Sequence, residues 1–570
     1  MRLPGAHKPM QRQVRPSALA SLLGLGLCAS GCAQFLGLDE FSDQAPGGTG
    51  AGGLGGAHPM GAGGAGGAEE EAPTCTPDAS EVCYAGPLGT RNRGACREGT
   101  RTCGADGTWA ACEGEVVPAV ERCDAADDEN CDGFECIVWA TGFEQHGSAW
   151  PLAVESDAEG NVFVSAGLSG TITIAEESFS SASEVSDVLI LKLSPAGVPL
   201  WAKKFGDFGV DGVTDLAIDS KGNPVLIGES PQGGVDFGGG PLPEGPFIVR
   251  LDASGEHVWS KGLGGRGTLT GIAIDSSDDI IVTGRFSLPI DLGEGPITPD
   301  GEDILVAKLD GANGRVSGPG YWVRTFNGSS WYEAATAVAV DSSKNIFFLG
   351  WSEETINFGT DNVPLRVNGT QFVVKLTSAG KPVWARAFNG PGSGPAHPMG
   401  ITVDLSSRPV IVGSFSQKMQ IGEHTVTGGA GTDSNVFVLQ LEATGMPRWL
   451  RGFGEAASEQ HAFGVTRDPY GNLVVVGTAE GEIDFGNGPL KAQGRQNAFV
   501  AKFTPDAELL WNHLTENTGE DMLRVVATSP DGETLIAGTT TAPHADFGTG
   551  PLPGTSDGDR TRLVIAKLGR

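Results

Sequence analysis

Seven tryptophans, Trp139, Trp201, Trp259, Trp322, Trp384, Trp449 and Trp511, recur at steps of 58–65 residues, and only 59 residues follow the last. A fixed period of this size marks a repeat architecture, in which each copy buries its apolar face only against its neighbours. A second ladder keeps the same period: Gly167, Gly228, Gly284, Gly350, Gly413, Gly477 and Gly538. Between the rungs, short runs of Val, Ile, Leu and Phe alternate with Gly, Pro, Asn and Asp turns, and no long segment carries a helical period.

Each copy divides into four strands. In several copies the first ends in Asp, as in Leu216-Ala217-Ile218-Asp219 or Val338-Ala339-Val340-Asp341, and a tight turn such as Gly222-Asn223 follows. The second ends at the ladder glycine. After a turn of the type Asp236-Phe237-Gly238 comes a third strand such as Val564-Ile565-Ala566-Lys567-Leu568, and the last carries the Trp, as in Trp384-Ala385-Arg386-Ala387-Phe388. Four strands repeated seven times predict an all-β, seven-bladed β-propeller over 137–570. The ends of the array fix its closure. The seventh copy stops at its third strand, and an orphan Trp strand, Ile137 to Phe143, precedes the first copy. In a closed ring that N-terminal strand completes the last blade and leaves no inner seam unpaired. The pattern resembles the bacterial propeller repeats called SBBP repeats, which implies the fold and leaves the ligand open. The repeated Trp, Gly and Asp read as structural. A Trp buries on the order of 200 Å² between sheets, glycine permits close backbone approach, and Asp binds turn amides.

The segments before the array read differently. Arg2, Lys8, Arg12 and Arg15 precede a short apolar run, Ala18 to Leu27, too short for a stable membrane span. Ala29-Ser30-Gly31-Cys32 follows, and it resembles a bacterial lipobox with Ala where Leu is preferred. That resemblance implies a leader over 1–31, lipidation of Cys32 and, with Ala33 next, sorting to the outer membrane, on its periplasmic side or at the cell surface; plain secretion is the alternative. Residues 32–74 are a Gly- and Ala-rich tether, a flexible coil with a reach of roughly 35 Å. Residues 75–136 hold Cys75, Cys83, Cys96, Cys103, Cys112, Cys123, Cys131 and Cys136. An even count in a short exported segment reads as a disulfide framework of open connectivity, and the gaps lack the usual C-x2-C zinc spacing.

Formal net charge is −32, which excludes a nucleic-acid surface, since phosphate binding needs clustered Lys and Arg. No H-E-x-x-H or P-loop motif occurs, and the single G-x-S-x-G match, Gly554 to Gly558, lacks the strand–helix context of a nucleophile elbow. Two clusters remain as candidate sites. Asp128, Asn130 and Asp132, followed by Gly133, fit the first half of a Ca2+ loop, although Trp139 stands where an EF-hand has its bidentate Glu. The segment resembles the Cys-flanked, Asp/Asn-rich metal-binding motif of bacterial surface proteins, with Ala125 replacing a usual Gly; Ca2+ is the cofactor it implies. The second cluster is Glu144 and His146, echoed by Glu459 and His461, with His397 in a corresponding place; Asp211, Glu333 and Glu520 are possible neighbours. All follow Trp strands, so they are expected around one mouth of the propeller. Trp331 and Tyr332 fall outside the Trp ladder and are candidates for an exposed aromatic patch. The favoured reading is a monomeric, lipid-anchored binding or structural platform, with a polysaccharide or an envelope protein as partner. The alternative is a metal-dependent hydrolase or lyase with its site at the channel mouth.

Overall fold

The computed structural model describes residues 75–569 apart from 87–89, 118–130, 132–136, 182–185, 207–208, 210, 328–332, 354, 360–365, 368–370, 389–395, 429–432, 455–457, 516–517, 543–551 and 553–560. Among the described residues every regular element is a strand, and no helix is long and apolar enough to cross a membrane. Seven antiparallel sheets, each with a four-strand path, follow one another around a ring. Their innermost strands are Glu144–Ser156, Gly212–Ile218, Gly267–Ile274, Glu333–Val340, Ala396–Val403, Gln460–Arg467 and Asp521–Thr528, which define blades 1 to 7. Each innermost strand neighbours the next, and the seventh neighbours the first, so the ring is closed.

Closure uses the expected strand. Ile137–Gly142 pairs antiparallel with Arg562–Leu568, placing Trp139 opposite Lys567, and becomes the outer strand of blade 7. The core continues across this seam: Ala527, Leu535, Leu563 and Ile565 of blade 7 pack with Val154, Val164, Leu189 and Leu191 of blade 1. The tryptophans act as latches between blades. The indole N–H of Trp139 donates to Pro195 O at 2.9 Å, in the turn before the outer strand of blade 1. Trp201, Trp259, Trp322 and Trp384 donate in the same way to Ala253, Gly311, Ser378 and Ala443, each one blade on. Gly197 lies beneath Trp139 with φ 77°; a Cβ there would stand 2.6 Å from the ring. Glycine is therefore required twice over, by conformation and by space.

The glycine ladder has its own cause. Every innermost strand carries a β-bulge, and in most blades it sits beside the ladder glycine. The bulge brings the carbonyl of the preceding residue over the glycine, so that a Cβ on Gly413 would lie 2.0 Å from His397 O and one on Gly477 1.9 Å from His461 O. Blade 1 differs by one position. Ala166 takes the ladder register, opposite Pro151, while Gly167 makes room for the Trp150 ring.

The Asp that ends the first strand in six blades folds the turn after it, and Ser529 takes its place in blade 7. Asp157 accepts the amide N–H of Glu159 and Asn161 and the Nδ2–H of Asn161, and Asp219, Asp341 and Asp468 repeat the arrangement. A buried cation on the third strand completes it: Lys192 for Asp157 at 3.2 Å, Arg250 for Asp219, Lys308 for Asp275 at 2.6 Å and Lys502 for Asp468 at 3.2 Å. These pairs are shut inside the blades, and their carboxylates are unavailable to a ligand. They make one face of the disc a regular circle of short turns.

The cysteine-rich segment is stapled by Cys75–Cys103, Cys83–Cys112 and Cys96–Cys131. Each closes a loop of 28–35 residues, which in the chain-entropy account stabilises by about 3–4 kcal/mol. A ribbon of Ser80–Cys83 with Gly99–Thr102 is the regular structure among its described residues. Cys123 and Cys136 lie outside the described residues.

Candidate binding site at the turn end of the channel

The two ends of the channel differ. At the end where the innermost strands begin, His397 and His461 occupy the same register in adjacent blades, each one residue before the partner of its ladder glycine. The protein around His461 lowers its pKa against the opposing pull of Glu459, whose carboxylate stands 3.6 Å from Nε2. His397 is lowered by the surrounding protein and then by His461. His461 stacks on Phe463, centroids 6.1 Å apart. His397, Glu459 and His461 thus lie together at this end. The first member of the expected echo does not share their position. Glu144 and His146 lie on an N-terminal extension of the first strand, paired with Thr173 and Thr171; His146 is four positions beyond Trp150, the residue that matches His461 in register. The extension exists because Gln145 caps the seam: its Nε2–H donates to Thr561 O, and its Oε1 accepts the Leu563 amide. Asp211 and Glu333 are buried within their blades at 1 and 0% exposure, and Glu520 pairs with Arg495 at 3.3 Å. Among the described residues no group of three or more His, Cys, Asp or Glu is placed to hold a metal ion. Asp128, Asn130, Asp132, Trp331, Tyr332 and Cys32 lie outside the described residues.

The cavity is at the opposite end, where the innermost strands run into the Asp turns. A bowl of about 730 Å³ is walled by blades 1, 4, 5, 6 and 7. Glu155, Thr402 and Thr466 occupy one level of the strand register, with Ala339 beside them. One residue further out lie Ser156, Val340, Val403, Arg467 and Thr528. Leu405, Pro469 and Pro530 form the lip; Leu405 is 64% exposed, and Tyr470, beside Pro469, is 61% exposed. Such large apolar side chains left open around a concave polar floor are the informative kind of exposure.

Hydrogen bonds join the polar side of the bowl from blade to blade. Ser156 Oγ donates to Thr528 O at 3.1 Å, Thr528 Oγ1 to Arg467 O at 2.9 Å, and Arg467 Nε to Val403 O at 2.8 Å. This relay runs from blade 1 across the seam to blade 5. It leaves the Nη2 of Arg467 and the hydroxyls of Thr402 and Thr466 without a protein acceptor among the described residues.

Glu155 stands where the other blades carry Ala217, Ala273, Ala339, Thr402, Thr466 and Ala527. Burial raises its pKa to about 8, and repulsion from Asp215 of blade 2 adds to the rise. Asp215 is itself raised by burial to about 7, even though it accepts the amides of Ile272 at 3.0 Å and Leu216 at 2.8 Å. Near neutrality the pair therefore holds protons and can donate as well as accept. Neither residue was singled out from the sequence. The signal was present in the repeat: one carboxylate in a column of Ala and Thr, another, Asp215, in a column of Ala153, Gly271, Ala337, Gly400, Gly464 and Val525.

No protein-family model matches the chain, and no curated protein matches it. Among solved structures it is similar to a streptogramin B lyase, at 11% identity over 76% of this chain and 98% of that one with a TM-score of 0.40. Virginiamycin B lyase from Staphylococcus aureus is similar at 10% identity over 76 and 99% with a TM-score of 0.41, and the Pan2 WD40 domain from Neurospora crassa at 10% over 74 and 90% with 0.37. The assignment of seven blades rests on the strand pairing of this chain itself.

Proposed function

We propose that this chain is an exported recognition protein, anchored by lipid at Cys32, that offers the turn end of its propeller to a polysaccharide. The observation that carries the reading is the bowl. Five blades converge on it, its floor offers hydroxyl, carboxyl and guanidinium groups, and its lip is Leu405, Pro469 and Pro530, with the exposed Tyr470 beside Pro469. Sugar rings need both kinds of surface, an apolar plane for their C–H face and paired donors and acceptors for their hydroxyls. The disulfides of the preceding segment suit an oxidising compartment, and the expected tether would hold the disc clear of the membrane. Retention of the full chain on a panel of immobilised polysaccharides tests it. The double variant L405A/Y470A should lose at least tenfold in binding to whichever polysaccharide retains the native chain, with its melting temperature unchanged. Equal retention of variant and native chain on every member of the panel would remove the reading.

A second reading has one observation in its favour. Two carboxyl groups with pKa values of about 8 and 7 suit general acid–base work near neutral pH, as in a hydrolase or lyase. It requires product formation that disappears in E155Q and D215N. Binding without turnover favours the platform.

A further inference from the structure

The bowl carries more chemical detail than a generic sugar site. Among its lining residues the sole cation is Arg467, which occupies a register column of Ser156, Ile218, Ile274, Val340, Val403 and Thr528. Two nitrogens of its guanidinium are committed, Nε to Val403 O at 2.8 Å and Nη1 to Asp468 O at 3.5 Å, which fixes the group against the wall, and Nη2 is left without an acceptor among the described residues. A guanidinium held in this way is preorganised for a planar oxyanion. Two open threonine hydroxyls, Thr402 and Thr466, lie one level deeper, and Ala339, Val340, Leu405 and Pro469 supply apolar wall on the same side of the ring.

We propose that the bowl selects an acidic saccharide, a sugar ring bearing one carboxylate: Arg467 takes the carboxylate, Thr402 and Thr466 the ring hydroxyls, and the aliphatic wall the C–H face. This deepens the polysaccharide reading and rests on it. The acidity of the chain as a whole opposes a ligand with many charges, so the selection falls on one uronate unit held locally rather than on a dense polyanion drawn in from afar. Glu155 fits this assignment because burial keeps it protonated at neutral pH, when it can donate a hydrogen bond instead of repelling the carboxylate. The charged group that acts on it is Asp215 of blade 2; the Asp157–Lys192 pair follows at the turn of its own blade, Arg467 lines the same bowl two blades away, and the bowl residues of blade 7, Thr528, Ser529 and Pro530, do not titrate.

Calorimetric titration of the full chain with a uronic acid disaccharide, and with the neutral disaccharide of the same linkage, tests the proposal. The uronate should bind at least tenfold more tightly. R467Q should abolish that preference while leaving neutral binding within about twofold, and R467K, which keeps the charge and loses the fork, should fall between. Raising the pH from 7 to 9 should weaken uronate binding in the native chain and leave it flat in E155Q. Equal affinity for the two sugars, or an undiminished preference in R467Q with an unchanged melting curve, overturns the acidic assignment and leaves the polysaccharide reading standing. Binding of neither sugar, together with a polysaccharide panel on which L405A/Y470A behaves as native, overturns both.

Discussion

The inner rim of this ring is built in two ways. Around blades 5, 6, 7 and 1, side chains at the turn end reach back to the previous blade, through Ser156, Thr528 and Arg467. Around blades 2, 3 and 4 the same register holds Ile218, Ile274 and Val340, and the cross-blade bonds move four residues inward along the strand, to the bulge. There Thr214 Oγ1 donates to Leu269 O at 2.6 Å and Thr270 Oγ1 to Ala335 O at 2.7 Å, each reaching forward to the next blade. Both arcs supply donors to backbone carbonyls of a neighbouring blade, the first at the turn end and the second at the bulge. They differ in what they leave over. The second arc uses its hydroxyls inside the wall, while the first keeps polar groups at an open mouth. A repeat can therefore specify one fold seven times and still concentrate chemistry on one side, by moving a hydrogen-bonding residue along the strand rather than by changing the strand.

The strongest way to break the comparison is at the seam, which belongs to the polar arc. Deleting Ile137–Gly142 removes the partner of Arg562–Leu568 and exposes an edge through the core shared by blades 7 and 1. The expected outcome is loss of the cooperative melting transition and aggregation on size-exclusion chromatography. A truncated chain that melts as the native one does would mean that the seam bears no load and the arcs are equivalent.

The next effect concerns the junction of the arcs, where Glu155 of blade 1 meets Asp215 of blade 2. Both carboxyls have folded-state pKa values above their ordinary ones, about 8 and about 7. Their folded forms thus hold protons that the unfolded chain releases, so their contribution to stability is complete below about pH 4 and is lost as the pH rises through 7 to 8. E155Q should leave the melting temperature unchanged at pH 4 and raise it by a few degrees at pH 9. A variant no more stable than the native chain at pH 9 would show that solvent reaches the pair freely.

The smallest effect sharpens the functional difference. T528V and T270V each remove one cross-blade hydrogen bond of about 1 kcal/mol, for a fall in melting temperature of about 1–2 °C in a ring of this size. The two should be indistinguishable by calorimetric melting and different in saccharide binding, which T528V weakens and T270V leaves alone. Equal effects on binding would mean that the ligand does not distinguish the arcs.

Much of this architecture was legible from residue spacing because its causes are repeated. Trp139 obeys a constraint that recurs in most blades, a ring laid on a turn, and the ladder glycines obey another, a carbonyl laid over the strand, so the periods of Trp and Gly announced the blades and the orphan strand announced the seam. The Asp turns were legible for the same reason, but their cations were not, since Lys192 and Lys502 look like ordinary strand lysines until the third strand is laid beside the first. The bulge was hidden as well, and with it the register that separates His146 from His461. The Glu-Gln-His echo is an identity of letters: Gln145 caps the seam, whereas Gln460 Nε2 donates to Ser458 and to Glu480 O within blade 6. The bowl is not legible in single residues, because its lining comes from five blades and from no shared motif. Glu155 and Arg467 are distinctive only against the other members of their columns, a comparison that needs the strand register.

The pairing of Ile137–Gly142 with Arg562–Leu568 also sets an order of events at birth. The segment that finishes the last blade is made first; its partner emerges more than 400 residues later. Until then six blades can assemble in sequence while an apolar, Trp-bearing ribbon waits alone, a long-range contact of the kind that slows folding and invites association between chains. Placing the stapled segment directly upstream keeps that waiting ribbon beside a rigid, covalently closed neighbour during the interval when it is most exposed.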